Sequence, residues 1–148
     1  MPALDLIFEA LAERPELHVH SSALYRLCKA TARAAVEQLF SATERVAQPF
    51  GPFGSLSMPY TKMGAIDSLD LFGVDELIIF AFYNANRGRY GRVLDIGANL
   101  GLHSIVMARC GYSVKAFEPD PWHFGLLVDN LAANAATMVT PFKEAVSV

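Results

Sequence analysis

One run constrains this chain more than any other: Val93-Leu94-Asp95-Ile96-Gly97-Ala98-Asn99-Leu100-Gly101. An apolar stretch of strand length breaks into small, turn-forming residues and then resumes a helical period. The spacing predicts a strand over residues 93–96, a tight turn, and a helix over 102–110 closed by Gly111. A second strand over 114–117 ends at Glu118. Asp120-Pro121 then opens another helix: Asp caps free amides, and Pro suits the first helical position. Phe124, Leu127, Val128 and Leu131 give that helix an apolar face, and residues 138–142 read as a third strand. The order β-α-β-α-β implies parallel strands joined by right-handed crossovers, so the fold class is α/β.

Ligands of open α/β sheets sit beyond the carboxyl ends of the strands. Gly97, Ala98, Asn99 and Gly101 fall there. The two glycines lack a Cβ, so backbone can approach a ligand or turn sharply, and Asn99 tolerates a left-handed conformation. The helix after Gly101 points free amides at the same place, which suits a carboxylate. Asp95 is acidic within an apolar strand, and is expected to accept hydrogen bonds from the turn or to face a cation. Glu118, at the end of the second strand, is placed to accept from the 2′ and 3′ hydroxyls of a ribose. A dinucleotide site needs Gly-x-Gly-x-x-Gly. Here Asn99 stands where the second Gly belongs, and it would crowd a pyrophosphate. Asp95 near the turn suits a cationic ligand better than a phosphate.

Upstream, Leu4, Ile7, Phe8 and Leu11 share one helical face that ends near Arg14-Pro15. Ser21 or Ser22 caps a second helix with a stripe of Leu24, Leu27, Cys28, Thr31, Ala35 and Leu39. A breaker cluster over 48–54 follows, and residues 55–66 read as one or two short extended segments. Val74, Leu77, Ile78, Ala81 and Phe82 recur with helical spacing; Ile79, Phe80 and Tyr83 make the other side apolar, so this helix is expected to be buried on two sides. The reading is an N-terminal helical extension over 1–50 and an α/β region over 51–148.

Net charge is −3 with no basic block, which argues against a nucleic-acid surface. The longest unbroken apolar run, residues 77–83, is far short of the roughly 20 residues that a bilayer span needs. The N-terminus carries acids among its apolar residues, unlike a secretory leader. Cys28 and Cys110 have no metal-ligand spacing and read as reduced, packed thiols. These features place the expected location in the cytoplasm, with no transmembrane segment.

The run VLDIGANLGLHSIVMARCGYSVKAFEPDPWHFGLLVDNLAAN, residues 93–134, resembles the core of the FkbM-type S-adenosylmethionine-dependent methyltransferases. That family has an apolar strand ending in Asp-x-Gly-Ala-Asn-x-Gly, then Phe-Glu-Pro-Asp, then a helix ending near Asn-Leu. Glu144-Ala145-Val146-Ser147 resembles its third-strand exit, and residues 63–86 match its lead-in more loosely. The resemblance implies an incomplete Rossmann-like, methyltransferase-type parallel sheet preceded by the N-terminal helical region. It implies that Asp95, Gly97, Ala98, Asn99 and Gly101 line the methionine end of S-adenosylmethionine. Glu118 would hold its ribose, Pro119 and Asp120 would lie beside the adenosine, and Glu144 or Ala145 would border the adenine. The acceptor would be a hydroxyl on a small molecule, sugar or lipid; no catalytic base is identified.

Family members continue with further strands and with substrate-side residues beyond the segment matched here. The expectation is a truncation that leaves residues 93–96 as an open apolar edge, and such an edge invites self-association. An N-terminal fragment of a split protein would leave the same edge open, and in an assembly another chain would supply its partner strand. A non-catalytic cofactor- or partner-binding module and a nicotinamide-dependent oxidoreductase half-domain are the alternative functions.

Several other residues attract a functional reading. His18 and His20 are spaced like metal ligands on a strand, but no third ligand follows, and a solvated turn is the plainer reading; no metal site is assigned. His103 lies in the first turn after Gly101 and could contact substrate or simply pack. Trp122 and His123 could flank an adenine or lie on the surface. Phe50, Phe53 and Tyr60 could cover a cleft or pin a loop to the core.

Overall fold

A computed structural model of the chain describes residues 2–147. The chain divides into two compact units, Met1–Ala85 and Asn86–Val148. The Pro/Gly cluster over 48–54 lies inside the first of them.

In the first unit, α1 (Ala3–Glu13) buries Leu4, Ile7, Phe8 and Leu11, the face read from the sequence. Helix α2 (Ala23–Phe40) starts at Ser22, whose Oγ accepts from the Tyr25 N–H at 2.9 Å. Its buried face differs from the expected stripe. Tyr25, Cys28, Ala32, Ala35, Val36 and Phe40 are buried, whereas Leu24 and Leu27 are exposed. Both sets have helical spacing. The aromatic residues that meet the rest of the unit decided between them: Phe40 stacks on Phe72 at 4.7 Å and meets Phe50 edge-on at 5.9 Å.

Strands β1 (Ala47–Pro49) and β2 (Ser55–Ser57) form an antiparallel hairpin around a short 3-10 turn. Strands β3 (Lys62–Met63) and β4 (Ile66–Asp67) form a smaller one. The hairpin turn carries Phe50 and Phe53 into an aromatic core with Phe8, Phe72 and Phe80. Those two residues therefore pin the turn. Helix α3 (Val74–Ala85) buries Val74, Leu77 and Phe80; Ile79 and Phe82 are exposed, so it is covered on one side only. His18 reaches the Leu11 carbonyl at 2.9 Å. His20 stacks on Tyr25 and reaches Asp75, whose carboxylate also accepts from the Tyr25 hydroxyl.

The second unit is a three-stranded parallel sheet in the order β5 (Arg92–Ile96), β6 (Ser113–Phe117), β7 (Val139–Phe142). Val93 pairs with Val114, and Val114 with Val139. Helix α4 (Leu102–Arg109) follows β5, and α5 (Pro121–Ala133) follows β6. The unit is α/β and compatible with a Rossmann-like arrangement. Val114, Ala116 and Val139 are buried; α4 packs on β6 and β7, and α5 on β7. The alternate positions face outward, with Leu94 and Ile96 each 62% exposed. Among the described residues β5 pairs with β6 alone, so its other edge is open. The helical period of α5 holds, but its centre is shifted: Leu127, Asn130 and Leu131 are buried while Val128 is exposed. No helix among the described residues is long and apolar enough to cross a membrane.

Candidate functional site

The carboxyl end of β5 turns through three backbone conformations that L side chains resist. Gly97 has φ 81°, Asn99 φ 51° and Gly101 φ 84°. At Gly101 a Cβ would lie 2.5 Å from Leu127 Cδ1 on α5, so the leucine would have to shift to admit a side chain. Gly97 differs: a Cβ would meet nothing within 4 Å, so its backbone is bare toward open space. The glycine at 101 thus serves packing, and the one at 97 serves the turn and leaves room above it.

The turn is tied down from three sides. The Gly97 and Ala98 N–H groups both donate to the Phe117 carbonyl at 2.9 Å, anchoring the turn to the end of β6. The Asn99 N–H donates to Glu118 Oε2 at 2.9 Å. The Leu100 carbonyl accepts from the Asn130 side-chain amide at 2.9 Å. Glu118 is 7% exposed, and its second oxygen accepts from the Asp120 N–H at 2.9 Å. One buried carboxylate therefore joins the turn after β5 to the loop after β6. Its own N–H continues the ladder to the Phe142 carbonyl.

Asp95 is half-buried and accepts from Ser104 Oγ in the first turn of α4 at 2.5 Å. The expected partners were the turn backbone or a cation; a buried hydroxyl one turn into the helix supplies the bond instead. Asn99 Oδ1 is shielded from solvent and has no hydrogen-bond partner. Asp120 caps α5, accepting from the Trp122 and His123 N–H groups. Pro119 is exposed beside it, and Trp122 is half-exposed at the surface. Glu144 and Ala145 are exposed and outside regular structure. The residues brought together are thus Asp95, Gly97, Ala98, Asn99, Gly101, Glu118 and Asp120. Cavities of about 410 and 570 Å³ lie in the first unit and share no residue with the turn.

Two contributors escaped the sequence reading. Asn130 is 2% exposed and Ser104 fully buried, and both spend their side chains on this site. For Asn130 a signal existed: it sits at i+3 from Leu127 and next to Leu131, a polar residue on the apolar stripe.

The backbone bond from His123, followed by that from Trp122 and the charge of the His123 ring, holds the Asp120 carboxyl below its usual range. A carboxyl depressed in the folded state adds stability above its unfolded pKa, and that contribution is lost as pH falls through the folded value. Acidification below about pH 3.9 is therefore expected to loosen the first turn of α5 before the sheet. Amide exchange at Trp122 and His123 should rise ahead of exchange in β6; a simultaneous rise would contradict the cap's role.

No family model, no curated protein and no solved structure matches the chain.

Proposed function

We propose that the turn at residues 97–101 and Glu118 hold S-adenosylmethionine, within a methyltransferase-type Rossmann-like sheet. The chain then binds the cofactor for methylation of a hydroxyl oxygen on a small molecule, sugar or lipid. The observation that carries this reading is the Glu118 bridge, which holds the loops after β5 and β6 together. Each carboxylate oxygen retains a second lone pair, which matches the paired hydroxyls of an unphosphorylated ribose.

The donor set fits the rest of the molecule. Asn99 Oδ1 is a shielded acceptor without a donor, and an ammonium group would satisfy it. Gly97 leaves open space for an extended ligand. Asp95 favours a cation nearby and disfavours phosphate. Asn99 puts a side chain where a dinucleotide site needs bare backbone against a pyrophosphate. When bound, S-adenosylmethionine supplies a methyl group made electrophilic by its sulfonium sulfur. The residues of this chain bind and orient: Glu118 the ribose, Asp95 and the 97–101 turn the amino-acid end, Pro119 and Asp120 the adenosine edge. Transfer to oxygen further needs the acceptor aligned behind the methyl carbon and its proton removed.

Calorimetric titration with S-adenosylmethionine, and separately with NADH, tests the reading. Saturable heat with the first and none with the second is expected. Saturable NADH binding alone would replace this reading with the oxidoreductase one, and a folded chain that binds neither would overturn it.

A further inference from the structure

Helix α5 touches the 97–101 turn at three successive levels. At its start, Asp120 shares Glu118 with Asn99. In its middle, Leu127 lies directly against Gly101. Near its end, Asn130 donates to the Leu100 carbonyl at 2.9 Å. Leu100 is 1% exposed, so this carbonyl lies in a dry setting where an unmet acceptor is costly. The residues on either side of it, Asn99 and Gly101, are the two that hold left-handed conformations in this half of the turn. Asn99 adopts that conformation more readily than other side chains do, and the bonds on either side of it fix it there.

We propose that Asn130 is a positioning residue for the cofactor turn: by gripping the Leu100 carbonyl it holds Asn99 left-handed and so sets the affinity for S-adenosylmethionine. This rests on the cofactor reading above. Asn130 touches no ligand; it acts through the backbone of the turn. Its own carbonyl accepts from the Asn134 side chain at 2.9 Å, and Asn134 Oδ1 accepts from Arg109 Nη2 at the end of α4 at 3.0 Å. Those outer bonds join the ends of the two helices and do not reach the turn, so they provide a control.

The test compares Asn130→Leu, which keeps the number and branching of the side-chain heavy atoms and removes the donor, with Asn134→Ala, which cuts the outer link. Asn130→Ser, too short to reach the carbonyl, is the second variant should the leucine not fold. Amide-resolved spectra of the unliganded proteins report the turn, and calorimetry reports S-adenosylmethionine affinity. The Asn130 variant is expected to move or broaden the amides of residues 98–101 while β6 and β7 keep theirs, and to bind at least tenfold more weakly. Asn134→Ala is expected to leave both unchanged. A folded Asn130 variant with an undisturbed turn, or with wild-type affinity, would overturn the proposal, as would an equal loss in Asn134→Ala. Failure of the cofactor reading is separately visible: wild type would bind nothing, while the amide shifts would still decide whether Asn130 holds the turn.

Discussion

Gly51→Ala is expected to destabilise the first unit by about 3 kcal/mol or more, the sum of a left-handed alanine and an overpacked core. Gly51 has φ 52°, and its Cβ would overlap the edge of the Phe8 ring, closest to Cδ2. That ring cannot step aside. It is 4% exposed and meets Phe50 edge-on at 5.6 Å and Phe53 at 5.2 Å. Denaturant titration reads the loss. A loss of no more than about 1–2 kcal/mol, the backbone cost alone, would mean that the aromatic core yields to the extra methyl, against the packing described here.

Glu118→Gln is expected to weaken S-adenosylmethionine binding by at least about 100-fold, or about 2.7 kcal/mol. The carboxylate accepts from two backbone N–H groups on different loops. An amide has one oxygen, so whichever way it turns, its NH2 group confronts either the Asn99 or the Asp120 donor. Hydrogen bonds to charged groups are worth about 1.5–3 kcal/mol, and a buried donor without an acceptor costs a similar amount. Glu118→Ala removes both acceptors and should weaken binding at least as much while also lowering thermal stability. Wild-type affinity in Glu118→Gln, measured by calorimetry, would show that the bridge does not shape the ligand site.

The sheet unit was legible because its signals are local. Alternating apolar stretches, the glycines at 97 and 101, and the Asp120-Pro121 helix start each declare themselves within a few residues. The cap is as read, with Asp120 accepting from both Trp122 and His123. What the sequence left ambiguous is which apolar face meets a partner. Leu24 and Leu27 look better buried than Ala32, yet the aromatic cluster lies on the other flank of α2. Likewise α3 is apolar almost all round, and only contacts distant in sequence decide that Phe82 stays outside. In the candidate site the acid at 118 and the turn were legible; their wiring was not. Asp95 pairs with a hydroxyl nine residues on, and the Leu100 carbonyl with an amide thirty residues on. Those distances are set by how α4 and α5 lie against the sheet, which no short window of sequence encodes.

Titrating the isotope-labelled chain with S-adenosylmethionine while following every backbone amide tests the central claim most directly. The account predicts saturable shifts concentrated at residues 97–101 and 118–120, with the Asn99 and Asp120 amides on Glu118 among the largest, and the aromatic core of the first unit unmoved. A well-dispersed spectrum that stays unchanged at saturating ligand, or that shifts only away from these two loops, would contradict it.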